Sequence, residues 1–300
     1  MSQVGYLMSL MKDQPPPSLR YFKQPPRQPS SGVAPDRIRI AHGDTDCTPY
    51  GFGTFASRSL VITGGATLLA ARKISGKLRA MAAHLLEAAP DDILLADGVA
   101  RVVGTDRELP IPSVARMAYH QAHRFGSDLA PGLRETATYD PPGTFSNACH
   151  VAVVAVDIDT GKVTLERFLV AEDAGLLINP MIAEGQIHGG IAQGVASALL
   201  EEIIHDDVGS VLTATFADYL LPKARDVPAI EIRHLETLSD TFTITKAKGL
   251  GEGGAIGAPA AILNAINDAL APFAVSIDEL PATPQRIRAA LRRHRSPDGA

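Results

Sequence analysis

The stretches His150-Val-Ala-Val-Val-Ala-Val-Asp157 and Lys162-Val-Thr-Leu-Glu-Arg-Phe-Leu-Val-Ala171 decide the fold class. Apolar residues alternate or run along both, and Asp159-Thr-Gly161 between them has the residue types of a tight turn. The pattern predicts two antiparallel strands joined as a hairpin. Because helical patterns flank this hairpin without a βαβ rhythm, we expect an α+β fold of mixed helices and antiparallel hairpins.

Further helices and strands are predicted on both sides of this hairpin. Apolar residues that recur every three or four positions indicate helices, and apolar–polar alternation between turn residues indicates strands. The predicted helices cover residues 64–89, 112–122, 181–202, 259–270 and 284–293. The other predicted strands lie within residues 37–41, 91–103, 230–235 and 241–246, and residues 172–180 are predicted to form a loop.

The domain organisation follows from composition. Residues 1–35 are rich in proline and lack apolar periodicity, so we expect an extended or disordered segment. Residues 36–293 have globular character, with expected subdomains over 36–140 and 141–293. Residues 294–300 form a polar tail that we expect to be solvated.

Composition excludes several classes of function. A net charge of −5 and a pI near 6.0 give no basic surface for nucleic acid. No apolar run is long enough to span a bilayer, and the N-terminus lacks the basic region and cleavage site of a signal peptide, so a cytoplasmic protein is expected. The two cysteines, Cys47 and Cys149, are far apart, which excludes a cysteine-based zinc or iron–sulfur site within this chain.

The segment with the most features of a functional site is Lys246-Ala-Lys-Gly-Leu-Gly-Glu-Gly-Gly-Ala-Ile-Gly-Ala-Pro259. Its glycines let the backbone approach a ligand closely, and they surround one carboxylate, Glu252. A single carboxylate among apolar neighbours at a helix entrance is a candidate general base. The alternative is an ordinary helix-entry acid that complements the helix dipole.

Three of these glycines, Gly249, Gly251 and Gly254, also fit the G-x-G-x-x-G pattern of dinucleotide-binding proteins. That site needs a complete βαβ unit with an acidic residue about 20 positions further on. Too little chain follows the motif to complete such a domain. The context therefore argues against a nicotinamide-binding domain, which a titration with NADH would test.

Two other segments are candidates for ligand binding. Tyr50-Gly-Phe-Gly-Thr-Phe-Ala-Ser-Arg-Ser59 precedes a predicted helix and could cradle an anion, or could be a simple capping loop. The second segment runs from Asn179 to Gly194 and carries Gln186, His188 and Gln193 among small residues. Its four glycines lie in a helical pattern, which indicates close packing or close approach of a ligand. His188 lacks a second ligand at metal-binding spacing.

Taken in order, these segments resemble the xanthine dehydrogenase/aldehyde oxidase family of molybdopterin-binding large subunits, including those of the aerobic carbon monoxide dehydrogenase type. The matching motifs are Gly43-Asp-Thr-Asp46 with Pro49-Tyr-Gly-Phe-Gly-Thr-Phe-Ala-Ser-Arg-Ser59, Asn179-Pro-Met181 with Glu184-Gly-Gln-Ile-His-Gly-Gly190, Asp218-Tyr-Leu-Leu-Pro222, Lys248-Gly-Leu-Gly-Glu-Gly-Gly254 and Gly257-Ala-Pro-Ala-Ala261. The resemblance covers residues 36–293 and implies the C-terminal cofactor-binding domain of a molybdenum hydroxylase.

The resemblance also implies roles for individual residues. Glu252 matches the family's catalytic glutamate, the base that removes a proton from the water-derived hydroxyl as it attacks the substrate carbon. The cofactor is molybdopterin, with or without a cytosine dinucleotide tail, and it carries the molybdenum, so no protein metal ligand is expected. The residues expected to contact this cofactor are Ala56, Ser57, Arg58, Ser59, Gln186 and Gly251.

The family's large subunit normally carries several hundred residues before the Gly43–Asp46 motif, and residues 1–35 do not match them. We therefore expect three partners: an N-terminal half of the large subunit, an iron–sulfur subunit and a flavin (FAD) subunit. The leading hypothesis is a molybdenum hydroxylase component that oxidises an aldehyde, an N-heterocycle or a related small molecule. The alternative is a non-catalytic truncated remnant or assembly partner of the same fold, which neighbouring genes for the missing subunits would argue against.

Overall fold

The structure is a computed structural model that describes residues 32–34, 37–39, 41, 44–46, 50–125, 129–237 and 243–295. The chain divides into two compact units, one of Met1–Gly143 with Asp240–Ala247 and one of Thr144–Ser239 with Lys248–Ala300. Apart from residues 32–34, the proline-rich segment lies outside the described residues, as do residues 296–300 of the predicted tail. None of the described helices is long and apolar enough to cross a membrane.

The first unit packs two helices against a small antiparallel sheet. Helix α1 is Ser59–Leu86, the strands are β1 (Ile93–Ala96), β2 (Val99–Val102) and β3 (Glu108–Pro110), and helix α2 is Ile111–His120. The sheet order is β1-β2-β3. Its core combines apolar residues of all these elements, including Leu78, Met81, Ile93, Leu95, Val102, Ile111 and Val114. The predicted helices over 64–89 and 112–122 and the predicted hairpin over 91–103 are confirmed.

The second unit holds the hairpin that decides the fold class. Strands β4 (Asn147–Val156) and β5 (Val163–Asp173) are antiparallel, and β6 (Ile230–Leu235) pairs with β5 in parallel. Helices α3 (Pro180–Leu199), α4 (Gly253–Leu270) and α5 (Pro284–Arg295) complete the unit. The predicted hairpin and the predicted strand at 230–235 are confirmed, although the parallel pairing of β6 joins residues too distant in sequence for local patterns to predict.

Strand alternation places the core of the second unit on one face of its sheet. Phe168 and Val170 of β5 are fully or almost fully buried there, against apolar residues of the helices. The helical residues in this core include Ile187, Ile191, Val195, Ile262, Ile266, Leu270, Ile287 and Leu291. Burial of apolar surface contributes about 25 cal/mol per Å² removed from water. Burial of this core is therefore the main interaction that holds the sheet and helices together.

Helix α3 begins where the sequence supplies start signals. The side chain of Asn179 accepts a hydrogen bond from the backbone N–H of Ile182 at 3.3 Å, and Pro180 occupies the first turn. Asparagine satisfies an otherwise unpaired N–H at this position, and proline has no N–H to leave unpaired. These two residues fix the start of the helix that carries Gln186.

Four predictions about secondary structure are wrong or incomplete. Strand β5 continues to Asp173, so the predicted loop begins two residues too early. Helix α4 begins at Gly253, before the predicted start at 259, because packing against α3 outweighs the low helix propensity of glycine. The predicted strands at 37–41 and 241–246 are absent among their described residues, where alternation has no neighbouring strand to pair with.

Candidate active site

Glu252 is the residue immediately before helix α4. It has backbone angles of φ −108° and ψ −7°, its side chain makes no capping hydrogen bond to the helix, and it is exposed. Gly251, directly before it, is half-buried. The helix dipole places positive partial charge at this end, so a carboxylate is favourable here. The structure thus presents the predicted base at the surface of the second unit, next to the first turn of a long helix.

The loop that carries Glu252 is fastened to the end of strand β5. Lys248 donates a hydrogen bond from its Nζ to Asp173 Oδ2 at 2.9 Å, and the Lys248 backbone N–H donates to the Ala174 carbonyl at 2.7 Å. Burial alone would raise the pKa of Asp173, but hydrogen bonds from Gly175, Lys248 and Thr237 outweigh burial and lower this pKa to about 2. Asp173 therefore stays ionised and holds the start of the loop.

Glycines bring helix α4 against helix α3. A Cβ atom at Gly254 would lie 2.6 Å from the Ile187 carbonyl oxygen, and one at Gly190 would lie 2.9 Å from the Gly254 Cα. Both distances are too short for a real side chain, so only glycine permits this approach. Ile187 directly follows Gln186, and Gly254 lies two residues after Glu252. The structure therefore brings the segments that carry these two predicted residues together.

The face of α3 beside Gln186 contains two glycines with open space in front of them. A Cβ atom at Gly185 or Gly189 would meet nothing within 4 Å in the described chain, and Gln186 itself is half-buried. Glycine in a helix costs about 1 kcal/mol relative to alanine. Packing within the described chain does not explain that cost at these two positions. An open glycine surface beside an amide side chain suits a ligand that approaches the backbone closely.

His188 and Gln193 are the other two polar residues singled out on this helix. The His188 Nδ1 atom lies 2.7 Å from the carbonyl oxygen of Glu184, one turn earlier in the same helix, and both His188 and Gln193 are exposed. No group of histidine, cysteine and acidic residues in the described ranges is arranged to hold a metal ion.

Two ionisable residues whose polar side-chain atoms are buried, Glu172 and His150, were not recognised in the sequence. Glu172 on β5 is 1% exposed, and its carboxyl group lies against Gly253. His150 on β4 lies under Gly257, one helical turn further along α4. Burial raises the pKa of Glu172 to about 7 and lowers the pKa of His150. The sequence contained one indication of this burial. Because side chains alternate between the two faces of a strand, Glu172 lies on the same face as Phe168 and Val170, which is the buried face.

The other predicted cofactor-binding residues lie in the first unit, at the start of helix α1. Ala56 and Ser57 both have positive φ, at 50° and 55°, as in a tight turn directly before the helix. The guanidinium of Arg58 lies 4.6 Å from the centre of the Phe55 ring, and Arg58 makes no side-chain cap on the helix. The Ser59 hydroxyl lies 2.8 Å from that of Thr54.

This arrangement at the start of α1 suits an anion. The helix has 28 residues, its first turn contains no acidic residue, and its N-terminal N–H groups carry positive partial charge. The Arg58 Nε atom is buried without a hydrogen-bond partner among the described residues. A phosphate group would pair with such a donor. The first part of the neighbouring motif, residues 43 and 47–49, lies outside the described residues.

Comparison with known proteins defines the class. Residues 31–228 match the family model of the molybdopterin cofactor-binding domain, and the chain belongs to this family. The match includes Ala56–Ser59 and Gln186 but ends before Glu252. The relatives described next match over a larger share of the chain.

The relatives are large subunits of molybdenum hydroxylases. The chain is 41% identical to the nicotine 6-hydroxylase large subunit of Paenarthrobacter nicotinovorans, over 87% of this chain and 32% of the relative. It is 38% identical to the carbon monoxide dehydrogenase large chain of Hydrogenophaga pseudoflava, over 88% of this chain and 32% of that protein. The chain thus spans about a third of the length of these relatives.

Solved structures show the same fold. Quinoline 2-oxidoreductase from Pseudomonas putida 86 is 43% identical and superimposes with a TM-score of 0.76, over 82% of this chain and 32% of that one. A Cu,Mo-dependent carbon monoxide dehydrogenase is 36% identical with a TM-score of 0.80, over 89% of this chain and 33% of that one. The expected α+β fold of the molybdenum hydroxylase type is therefore confirmed.

The residues present fit a pterin cofactor. The open glycine face beside Gln186 would admit a flat group close to the backbone. The loop before α1 offers a guanidinium and a helix N-terminus to a phosphate.

Proposed function

We propose that this chain is the cofactor-binding part of a molybdenum hydroxylase and that Glu252 is its general base. The observation that carries the proposal is the placement of Glu252: an exposed carboxylate at the N-terminus of α4, on a loop fastened by the Lys248–Asp173 ion pair. A general base must be held in one position to act efficiently. The fastened loop and the close glycine packing between α3 and α4 hold Glu252 in one position.

The proposed reaction is oxidative hydroxylation of a small molecule with oxygen from water. When bound, the molybdenum–pterin group would supply the two-electron oxidant, which takes up the electron pair of the substrate C–H bond as this bond breaks. Glu252 takes the proton of the water-derived hydroxyl as its oxygen bonds to the substrate carbon, and it later returns this proton to solvent. General-base catalysis of this kind contributes about 10²–10⁴-fold to a rate.

The cofactor is held, in this proposal, by the residues that its chemistry requires. The Gln186 side-chain amide and the half-buried Gly251 backbone face the pterin ring system, whose edge carries both donors and acceptors. Ala56, Ser57, Arg58 and Ser59 hold the phosphate, with or without a cytosine dinucleotide beyond it. Acid release of the bound cofactor followed by chromatography would identify this tail, since the dinucleotide yields a cytidine nucleotide.

The substrate class is proposed from the relatives. Nicotine, quinoline, xanthine and carbon monoxide occur in the names of similar proteins, and two of the more similar ones act on N-heterocycles by name. We infer an N-heterocycle or aldehyde substrate for the assembly that contains this chain. A panel of nicotine, quinoline, hypoxanthine, an aldehyde and carbon monoxide, assayed with a redox dye as electron acceptor, would identify it.

The partners are proposed on similar grounds. The chain covers about a third of the length of relatives that are named as large subunits, so the rest of a large subunit, an iron–sulfur subunit and a flavin subunit would complete the enzyme. Exposed apolar side chains in the segment after α3 offer a docking surface for these partners. They include Ile203, Val208, Leu212, Phe216 and Leu220.

The decisive experiment compares three forms of the assembled complex, purified from its native host. Glu252→Gln should retain molybdenum and pterin but lose turnover by at least about 10²-fold, because only the base is removed. Asp268→Asn, an exposed acid on the same helix, is the matched control and should keep full turnover. A complex without molybdenum and pterin, or a Glu252→Gln form with normal turnover, would refute the proposal.

A further inference from the structure

The carboxyl group of Glu172 is the most unusual buried group in the second unit. The residue is 1% exposed, and neither Oε1 nor Oε2 has a hydrogen-bond partner among the described residues. An ionised carboxylate in such a place costs far more free energy than a neutral one, because nothing replaces the water that it loses. A buried group of this kind needs an explanation in terms of function or structure.

The position of Glu172 supplies that explanation. Its Oε1 atom lies so close to Gly253 that a Cβ atom there would collide with it, and the Glu172 Cδ atom would be 3.2 Å from the same Cβ. Gly253 is the first residue of α4 and directly follows Glu252. The carboxyl group therefore supports the backbone at the residue next to the proposed base.

The neighbouring strands and helices contribute few charges around Glu172. In β4, His150 lies on the same face with both ring nitrogens buried and unpaired within the described chain, and burial lowers its pKa, so it is neutral near pH 7. In β6, His234 is opposite Glu172 in register, and its Nε2 atom lies 3.8 Å from Glu184 of α3. Within the described part of the chain, no side chain therefore donates a hydrogen bond to the Glu172 carboxyl group.

The next residue of β5 is also acidic, but it is paired with a cation. Asp173 belongs to the opposite face of the strand by alternation and is bound to Lys248. The first turn of α4 contains no acidic residue. Glu252 is thus the nearest acidic residue along α4, and a second negative charge beneath Gly253 would be unfavourable to it.

We propose that Glu172 is a positioning residue for Glu252. Its uncharged carboxyl group packs against Gly253 and thereby fixes the position of the loop that carries the base. This inference rests on the proposed function of Glu252. Two features of the side chain matter. Its length fills the space beside Gly253, where a Cβ atom would collide with Oε1, and in its protonated form it places no negative charge next to the base.

A pH effect follows from the second feature. Burial raises the pKa of Glu172 to about 7, so the group loses its proton in the neutral range. Above that pH a buried negative charge appears beside the loop. Turnover should then fall as the pH rises through about 7, with a change in kcat greater than the change in KM because the base, and not the substrate, is displaced.

The first test is spectroscopic and uses the full chain. The infrared carbonyl stretch of a protonated carboxylic acid should be present at pH 6, disappear as the pH rises through the neutral range, and be absent from Glu172→Gln. Glu166→Gln, an exposed glutamate on the same strand, should leave this band unchanged. If the wild-type chain shows no such band, or if Glu172→Gln retains it, the inference is wrong.

The second test uses the assembled enzyme. Glu172→Gln keeps the shape without the ionisation, so it should retain kcat at pH 6 and abolish the alkaline decline. Glu172→Ala removes the support and should lower kcat by about tenfold or more. Normal kcat in Glu172→Ala, or an unchanged pH profile in Glu172→Gln, would overturn the inference. Full turnover in Glu252→Gln would instead refute the proposed function, so the two failures are distinguishable.

Discussion

Lys248 and Asp173 form a 2.9 Å ion pair in which only 12% and 10% of the two side chains are exposed. The Asp173 Oδ1 atom also accepts hydrogen bonds from the backbone N–H groups of Gly175 and Thr237. This pair joins the end of β5 to the start of the Glu252 loop across 75 positions of sequence. A buried pair with satisfied hydrogen bonds is costly to break from one side, because the remaining charge is left unpaired.

The first prediction concerns this pair. Lys248→Met should lower the free energy of unfolding of the second unit by about 3 kcal/mol, since it leaves Asp173 buried without its cation. The control is Arg167→Met, which breaks the Arg167–Glu231 pair on the same sheet. Those side chains are 59% and 44% exposed, so the loss should stay below about 1 kcal/mol. Equal losses in chemical denaturation would contradict the special role of Lys248.

The second prediction is a pH dependence of stability caused by Glu172. Its pKa is about 7 in the folded chain and 4.5 for an ordinary solvated glutamate, so the folded state binds more protons between these values. The free energy of unfolding should therefore fall as the pH rises from about 4.5 to 7, by up to about 3 kcal/mol.

The measurement is the difference between wild type and Glu172→Gln across this pH range. His150 has a lowered pKa and acts in the opposite direction, because it binds more protons when unfolded and so favours folding as the pH rises toward 6.5. Since His150 is present in both chains, its effect cancels in the difference. Parallel stability curves for the two chains would show that Glu172 does not change its protonation on unfolding.

The third prediction uses two adjacent glycines of α3. Gly190→Ala should destabilise the second unit by about 1–3 kcal/mol, because the added methyl group meets the backbone of Gly254 and Ala255 and overpacks the contact. Gly189→Ala meets nothing within 4 Å and should be neutral or stabilise by up to about 1 kcal/mol through helix propensity. Thermal unfolding of the two variants checks the contrast, and the reverse order would invalidate the packing argument.

Local patterns predict much of this fold because they report local forces. The hairpin of β4 and β5 and the helix α3 have strong periodicity and clear turn or cap residues, so both were predicted correctly. The parallel pairing of β6 was not, since it depends on the packing of residues more than 60 positions apart in sequence. Helix α4 was predicted too short because its first turn consists of glycine and small residues that only tertiary contacts stabilise.

In the candidate site, too, local sequence predicts one residue and misses another. Glu252 stands out in the sequence because it is a single carboxylate among glycines. Glu172 does not, because a strand that ends in two acidic residues resembles the start of a solvated loop. Only the structure shows that the second acid is paired with Lys248, while the first lies against Gly253 without a hydrogen-bond partner in the described chain. Buried polar groups that depend on distant partners are poorly predicted by local sequence.

The last prediction concerns the phosphate site before α1. Arg58→Ala removes a guanidinium that lies against Phe55 and whose Nε atom is buried without a partner in the described chain. Hydrogen bonds to charged groups contribute about 1.5–3 kcal/mol, so cofactor affinity should fall by about 10–100-fold. Arg58→Lys should recover only part of this affinity, because lysine lacks the planar group that stacks on the ring and donates in two directions.

The measurement is the pterin and molybdenum content of the purified complex, combined with the concentration of added cofactor needed to restore it. Arg72→Ala is the matched control, since Arg72 lies on the same helix and is exposed. It should retain normal cofactor content. Because Glu252 belongs to the other unit, Arg58→Ala should lower turnover only in proportion to the lost cofactor. A form that keeps its full cofactor content would exclude Arg58 as a phosphate ligand.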